Sequence, residues 1–411
     1  MKSVVITGAG VVSSLGDTPA GLHAALCEGL SGLRPVELFD TSGLGCPLGG
    51  EVKGFDAQKY LGRRNLRPLD RTSRLVASAA QLALDASGWT AEMRAGQEVG
   101  LVLGTMFCSV HTISEFDRRA LEAGPAYASP MDFANTVINA AAGQAAILHD
   151  LRGVNTTVST GITSGLQAVA YAADLIRAGR THALLAGGAD ELCFESFYGF
   201  ERAGLLCRSD GHEGHYPIPF DARRNGCAPG EGAALLMLED SASAHERGAR
   251  VLAEVAGCGS GYDCSRGRDE RSAVEAVAHS MRFAMYEAML RPYEVECLSA
   301  SANGSPGGDR REARAAAEVF GDHARSMPVA AIKAMLGETL GASGAMQSVA
   351  ALETMRDGVL PGIPKLVQVE EGFPLALAGP DKQSVDVSNV LVNSVGFDGH
   401  VCSVILAKCD G

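Results

Sequence analysis

The chain has 411 residues, of which 46% are hydrophobic and 20% are charged, and 50 of them are glycines. This composition is typical of an α/β protein with many tight turns, and the length allows two domains or one large duplicated domain. The formal net charge of −13 argues against non-specific binding to nucleic acid or to an anionic membrane surface.

The eleven cysteines are scattered along the chain, and no two of them have CxxC spacing. This pattern predicts neither a metal site nor a disulfide framework, and free thiols at this density are typical of the reducing cytoplasm. The opening stretch MKSVVITGAG lacks the long apolar run of a signal peptide, and no segment is long and apolar enough to span a membrane. We therefore predict a cytoplasmic protein, and we expect no cofactor.

In the first half, short continuous apolar runs predict buried parallel strands, because such strands are covered on both faces. They are KSVVITGAG from residue 2, VGLVLGT from 99, HALLAGGAD from 182 and AALLMLED from 233. The segment 69–89 has the periodicity of an amphipathic helix. The stretch 156–176 begins like another buried strand, turns at Gly161 and continues as a helix.

The second half repeats this order of elements. Predicted strands are VLAEVAGCGSG from 251, VECLSASANGSPGGD from 295, VAAIKAML from 329, VLVNSVGF from 390 and CSVILAK from 402, and predicted helices cover 272–290, 310–320 and 343–357. We interpret the repetition as a duplicated α/β unit with halves at 1–245 and 246–411. The main insertions are 103–140 and 206–228.

Five segments occur in order along the chain: TGITSG (160–165), PFDARRNGCAPGEGAALLMLED (219–240), GSPGGDRREARAAAEVFG (304–321), IKAMLGETLGASGAMQ (332–347) and NSVGFDGH (393–400). In this combination the chain resembles the β-ketoacyl-acyl carrier protein synthases from about residue 2 to residue 408. The resemblance implies a thiolase-like fold, a duplicated α/β/α/β/α layered arrangement with mostly parallel sheets. In that family a cysteine at the turn is acylated, and two histidines assist malonyl decarboxylation and stabilise the enolate.

All three positions that carry this chemistry differ here. Carried over residue by residue, the cysteine position is Ile162, and the two histidine positions are Ser301 and Glu338. Lys333 and Glu312 remain where the family keeps a supporting pair of lysine and carboxylate.

The resemblance therefore implies a degenerate site. An isoleucine cannot be acylated, Ser301 cannot carry a proton near neutral pH, and a glutamate beside a developing enolate opposes its formation. We expect no catalytic residue, and we expect Glu338 to pair with Lys333, Arg310 or an arginine of another chain. Because β-branched residues tolerate a strained turn badly, we also expect a relaxed or compensated backbone at Ile162, in a dry, filled site.

The resemblance also implies where partners would bind, since family members dimerise through the region matching 103–140. Candidates for contact with an acyl chain are Met106, Phe107, Met131, Phe133, Thr136 and, at the position of the acyl-pocket gate, Phe397. Candidates for docking an acidic carrier protein are Arg63, Arg64, Arg67, Arg71 and Arg208. Ordinary interface core and a solvated helix face are the respective alternatives.

The leading hypothesis is a catalytically silent chain-length factor. Such a subunit would form a heterodimer with an active ketosynthase, work with an acyl carrier protein, and shape the partner's acyl tunnel during polyketide (aromatic or polyene) or fatty-acyl elongation. A second hypothesis is an enzyme of another acyl-transfer or cyclisation class that uses Ser301, Glu338 and His400. A third is a homodimeric protein that binds acyl groups or a carrier protein.

Overall fold

The alternating apolar and amphipathic segments form a layered α/β structure in the computed structural model, which describes residues 2–63, 66–208 and 216–409. The strands of the described residues are β1 Val4–Ser13, β2 Arg34–Pro35, β3 Leu48–Gly49, β4 Val99–Gly104, β5 Asn155–Val158, β6 Ala183–Asp190, β7 Gly232–Asp240, β8 Ala253–Tyr262, β9 Cys297–Ser299, β10 Pro328–Ala330, β11 Val359–Leu360, β12 Ala376–Leu377, β13 Gln383–Ser384, β14 Asn389–Val395 and β15 His400–Ala407. The α-helices are α1 Pro19–Cys27, α2 Gln58–Leu61, α3 Arg71–Ser87, α4 Ala91–Gly96, α5 Val110–Ala123, α6 Pro130–Phe133, α7 Ala140–His149, α8 Ser164–Arg177, α9 Phe194–Arg202, α10 Ser241–Glu246, α11 Glu270–Glu287, α12 Pro306–Phe320, α13 Lys333–Leu336 and α14 Ser343–Asp357.

One continuous sheet has the strand order β12-β10-β9-β14-β15-β8-β1-β7-β6-β4-β5. Its two wings, β5-β4-β6-β7-β1 and β10-β9-β14-β15-β8, have the same internal order, as a duplicated unit produces. Parallel pairing joins β5, β4 and β6 in one wing and β12, β10, β9 and β14 in the other, and antiparallel pairing connects the strands between them. The wings meet between β1 and β8.

Alternate residues of the central strands face different layers of helices. On β7, Leu236 and Leu238 belong to the core that contains α8 and α14. Their neighbours Leu235 and Met237 belong to the core that contains α3 and α7. In the second wing, α11 packs on β8 and on α12. Helices therefore cover both faces of the sheet, and the α/β layered fold class predicted from the sequence is confirmed.

Several strand predictions need correction. Strands β1 and β7, predicted to be parallel, pair with their neighbours in antiparallel fashion. Of the run from 295, only Cys297–Ser299 is a strand, and α12 begins at Pro306. The segment before Gly161 is not a buried strand, because β5 is the last strand of the sheet and its residues are exposed or half-buried. The apolar run from 329 forms a strand only through Ala330, and α13 follows it with all four residues buried. A short apolar run does not distinguish a buried strand from a buried helical turn. The helix predicted over 343–357 matches α14.

The segment 103–140 carries α5 and α6 outside the sheet, next to α7. The division of the halves near residue 245 falls within α10 and stays a prediction. Within the part of the chain that the structure describes, every helix is too short or too polar to cross a lipid bilayer.

Candidate functional site

The turn at 160–165 places Ile162 between the edge strand β5 and helix α8. Gly161 takes the left-handed conformation, with φ of 61°, whereas Ile162 is not among the described non-glycine residues with positive φ. The glycine thus adopts the conformation that a β-branched residue resists. A Cβ atom on Gly161 would lie 2.7 Å from Oδ2 of Asp398, so the loop after β14 closes over the turn. Ile162 is 1% exposed and fills the position without strain in its own φ.

The two hydroxyl groups beside Ile162 are engaged by the backbone of the turn. Thr163 Oγ1 donates to the carbonyl oxygen of Thr160 at 2.6 Å, and Ser164 Oγ lies 2.6 Å from the carbonyl oxygen of Gly161. Both residues are fully buried. Among the described residues, neither hydroxyl contacts a histidine, a lysine or a carboxylate, so the turn contains no activated nucleophile.

Glu338 forms a buried ion pair with Lys333 at the position where the resemblance places a histidine. The Nζ atom of Lys333 lies 2.9 Å from Oε2 of Glu338, and the side chains are 2% and 0% exposed. Oε2 also accepts a hydrogen bond from Asn303 Nδ2 at 2.8 Å, and Oε1 accepts one from the hydroxyl of Ser343. Donors engage both carboxylate oxygens, and this geometry makes Glu338 a structural counter-ion.

Ser301 is tied into the same cluster. Its Oγ atom accepts hydrogen bonds from Lys333 Nζ at 3.3 Å and from the backbone N–H of Val395 at 2.9 Å. A serine acting as a nucleophile needs a base that accepts its proton. The ammonium group of Lys333 is instead a donor to both Ser301 and Glu338, so it does not activate the hydroxyl.

Glu312 lies behind Ser301, and its partner differs from the one that the resemblance implies. Oε1 of Glu312 accepts hydrogen bonds from the backbone N–H of Ser301 at 2.8 Å and from Asn393 Nδ2 at 2.6 Å, whereas Lys333 pairs with Glu338. Oε2 of Glu312 is buried and has no hydrogen-bond partner among the residues that the structure describes. Burial raises the pKa of this carboxyl to about 7.

A cleft of about 240 Å³ opens beside this cluster, and its lining includes Ser301, Glu312 and Phe397. The Phe397 ring packs edge-on against Phe200, with ring centroids 5.8 Å apart. Ile162 is not part of the lining. The cleft therefore ends before the turn at which the resembling enzymes carry out acylation.

The structure does not bring His400 to this cluster. His400 begins β15 and lies against Tyr262, with ring centroids 4.8 Å apart. In the described chain its ring makes no hydrogen bond or ion pair with Ser301 or Glu338. The three side chains considered for a new acid–base set thus do not act on one another.

The residues expected along an acyl tunnel have two different environments. Met106, Phe107 and Phe397 pack at the margin of the core cluster that contains Phe197 and Phe200. Met131 and Phe133 are instead 51% and 63% exposed, and Thr136 is half-buried beside them. Within one chain, the second group faces outward.

Asp190, which the sequence analysis does not single out, builds the turn that holds Met106 and Phe107. Its buried carboxylate accepts backbone hydrogen bonds from these two residues at 2.7 and 2.9 Å. It also accepts them from Cys108 and Gly341 at 2.8 and 2.7 Å. Burial raises the pKa of Asp190, and the N–H donors oppose the rise. An acidic residue at the end of the apolar strand β6 is the signal that could have identified it.

The arginines proposed for docking also differ in their environments. Arg63, Arg67 and Arg208 are exposed, and Arg64 lies outside the described residues. Arg71 differs, because its Nε atom lies 2.7 Å from Oε2 of the fully buried Glu231. Arg71 is therefore a structural residue, and its charge is compensated inside the protein.

An exposed apolar face runs over α5–α7 and the adjoining loops. Its members are 45% to 86% exposed and are Leu121, Tyr127, Met131, Phe133, Val137, Ile138 and Ile147. Helix α7, which carries Ile147, packs on β5, the last strand of the sheet within the described residues. Exposed apolar side chains and an open sheet edge are each typical of an interface.

Comparisons with known proteins agree with this architecture. Residues 1–244 match the family model of the beta-ketoacyl synthase N-terminal domain, and residues 252–366 match that of the C-terminal domain. The chain is 30% identical over 408 residues to the 3-oxoacyl-[acyl-carrier-protein] synthase 2 of Coxiella burnetii, with 99% of each chain covered.

Two solved structures are similar along their whole length. One is named the ishigamide ketosynthase/chain length factor, with a TM-score of 0.92, 30% identity and 100% of both chains covered. The other is a beta-ketoacyl synthase from Burkholderia phymatum, with a TM-score of 0.91, 28% identity and the same coverage. With its repeated α/β unit and the ordered segments around 160, 304, 333 and 393, the chain belongs to the β-ketoacyl synthase family.

Proposed function

We propose that this chain is a non-catalytic subunit, of the chain-length-factor kind, that pairs with an active ketosynthase and shapes its acyl tunnel. The proposal depends on which residues occupy the positions of the family's catalytic cysteine and histidines. Ile162 occupies the nucleophile position, and the buried Lys333–Glu338 ion pair occupies the region where histidines would act.

Ketosynthase chemistry requires groups that are missing from this arrangement. Acylation requires a thiolate, and Ile162 offers only hydrocarbon. Malonyl decarboxylation requires donors aimed at a developing enolate. The ammonium group of Lys333 is held by Glu338, so it could stabilise an enolate only if this ion pair were broken. The protein's contribution is therefore binding and shape.

The apolar face of α5–α7 supports pairing with a second subunit. Seven large apolar side chains are exposed there, and α7, which carries one of them, packs on the edge strand β5. Burying such a face against another chain is favourable by about 25 cal/mol per Å² of apolar area. Met131 and Phe133 lie on this face and point away from their own core. In a dimer they would meet the partner, where a bulky side chain limits the length of an acyl chain.

The similar structure named a ketosynthase/chain length factor supports the same pairing. In such a complex, the exposed Arg63, Arg67 and Arg208 would help to dock an acyl carrier protein of acidic surface. Condensation itself would take place at the partner's cysteine.

The proposal is tested by producing the chain alone and together with a β-ketoacyl synthase from the same genome that retains cysteine and both histidines. We expect a one-to-one heterodimer by light scattering, and acyl-carrier-dependent condensation only from the complex. Replacing the partner's cysteine by alanine should abolish all condensation. Turnover by the purified chain alone would overturn the proposal. A stable homodimer that retains an acyl group and ignores the catalytic homologue would favour the homodimeric binding protein instead.

A further inference from the structure

Two cysteines that are far apart in sequence lie side by side in the core. The Sγ atoms of Cys46 and Cys207 are 3.6 Å apart, although 161 positions separate the residues. Both are fully buried, and they share the core cluster of Phe197 and Phe200 with a third cysteine, Cys227. The two sulfurs are not joined by a disulfide in the described structure. The short distance places the two thiols within reach of a covalent bond.

The surroundings of the pair differ on its two sides. Cys46 follows a short loop in which Ser42 and Gly43 are exposed and Leu44 and Gly45 are half-buried. Cys207 is anchored from the other side, because its backbone N–H donates to the carbonyl oxygen of Cys227 at 2.8 Å. Two residues before Cys207, Leu205 lines the cleft beside Ser301.

The contact between the two thiols also makes them differ in reactivity. The contact with the Cys207 sulfur lowers the pKa of Cys46, and the same contact, together with burial, raises the pKa of Cys207. The thiolate is the reactive form of cysteine towards peroxides and disulfides. Cys46 is thus favoured as the attacking sulfur and Cys207 as the resolving one.

We propose that Cys46 and Cys207 form a redox-active dithiol, which hydrogen peroxide oxidises to a disulfide that ties the loop 41–47 to the segment 205–208 beside the cleft. The Cys46 thiolate attacks one peroxide oxygen, the O–O bond breaks, and the sulfur becomes a sulfenic acid as one water leaves. The Cys207 sulfur then displaces the hydroxyl group, so that an S–S bond forms, the S–O bond breaks and a second water leaves. The two sulfurs together lose two electrons, and the peroxide is reduced to two waters.

The bond requires the sulfurs to approach from 3.6 Å to about 2 Å. The loop before Cys46 can supply this movement, because Ser42 and Gly43 in it are exposed. The disulfide would close a loop of 161 residues, a length at which a crosslink strongly restricts the unfolded chain. Oxidation should therefore stabilise the fold and fix the backbone next to Leu205.

The test uses the full chain with the exposed Cys264 and Cys409 replaced by serine, which prevents crosslinks between molecules. The reduced protein is treated with hydrogen peroxide under native conditions, alkylated in denaturant and mapped by mass spectrometry without reduction. We expect two fewer alkylated thiols and one peptide pair joined through Cys46 and Cys207. Cys46→Ser and Cys207→Ser should each abolish the linked peptide, whereas Cys297→Ser, a change at another buried cysteine, should leave it intact.

A second readout does not depend on these variants. The melting temperature of the oxidised protein should rise by several degrees in buffer without reductant, and dithiothreitol should reverse the rise. The peroxide dose is first set so that it oxidises the exposed thiols of the unsubstituted chain. If every thiol of the substituted protein is still reduced after this dose, the proposal is overturned. A linkage to Cys227 in place of either residue would overturn it as well.

Discussion

Lys333 and Glu338 face each other across 2.9 Å in a region where neither side chain reaches solvent. A buried charge is tolerated when its partner and its hydrogen bonds are in place, and it becomes costly when the partner is removed. The ion pair thus forms a fixed arrangement of charges, in which Asn303 and Ser343 supply the remaining donors to Glu338.

Removing the charge of Glu338 should destabilise the protein. In Glu338→Gln, Lys333 is left as a buried cation without a counter-ion, and we expect the free energy of unfolding to fall by about 3–5 kcal/mol. The double variant Lys333→Met, Glu338→Leu should recover most of this loss, because it removes both charges. Urea denaturation measures both effects.

The matched control is the exposed ion pair between Arg314 and Glu270, whose side chains are 52% and 51% exposed. Glu270→Gln should change the stability little, since solvent screens surface pairs. Equal losses in Glu270→Gln and Glu338→Gln would contradict the structural role of the buried pair.

Ile162→Cys should not restore condensation. The substitution supplies a thiol, but Ser301 and Glu338 still stand where histidines are needed, and the side chain at 162 is 1% exposed. We expect no product from acyl-carrier substrates when the partner's cysteine is replaced by alanine, and slow alkylation of the new thiol by iodoacetamide. Because the substitution removes buried carbon atoms, it should also cost about 1–2 kcal/mol of stability. Measurable turnover would show that the pocket retains a catalytic base.

Glu312 should make the protein less stable as the pH rises. Burial raises its pKa to about 7 from an ordinary value of 4.5. Between these values the folded state binds more protons than the unfolded state, so the free energy of unfolding decreases with increasing pH. In Glu312→Gln the decrease between about pH 5 and about pH 8 should be smaller by about 2–3 kcal/mol. The free energy of unfolding of both proteins is measured by denaturation at each pH. If the two pH profiles are parallel, Glu312 is not a neutral buried carboxyl.

The apolar face of α5–α7 should be required for pairing. Ile147 is 81% exposed on α7, and Ile147→Glu places a charge where we expect a buried contact. We expect at least about tenfold weaker association with the catalytic partner, because burying an unpaired charge is unfavourable by more than 1.4 kcal/mol. Size-exclusion chromatography with light scattering measures the change. Tyr286→Glu, at a 77% exposed position on α11, is the control and should leave the complex intact.

Enlarging the outward-facing tip of the same face should shorten the products of the complex. Phe133 is 63% exposed, and its ring centroid lies 5.9 Å from that of Phe116. In Phe133→Trp the larger side chain would occupy more of the partner's tunnel, whereas Phe133→Ala should permit longer chains. Mass spectrometry of the released acyl chains measures the product length for each variant. Identical product lengths in the two variants would rule out length control by this residue.

Local patterns in the sequence predicted much of the architecture. Continuous apolar runs marked the central strands, and helical periodicity placed α3 and α14, because burial on one or both faces imposes a characteristic spacing on the sequence. The order of these elements also repeats in the two wings of the sheet. The missing cysteine and histidines required no structure, since they depend only on which residue occupies each position of the family's motifs.

Other features were decided by contacts between distant parts of the chain. Local sequence does not show that β5 is an edge strand, that Gly161 rather than Ile162 adopts the left-handed conformation, or that Asp190 holds the turn after β4. The choice of Glu338 as the partner of Lys333, and the approach of Cys46 to Cys207, likewise arise only on folding. Hydrogen bonds, ion pairs and thiol contacts act over a few ångströms, and the tertiary structure alone brings together residues such as Cys46 and Cys207, which are 161 positions apart.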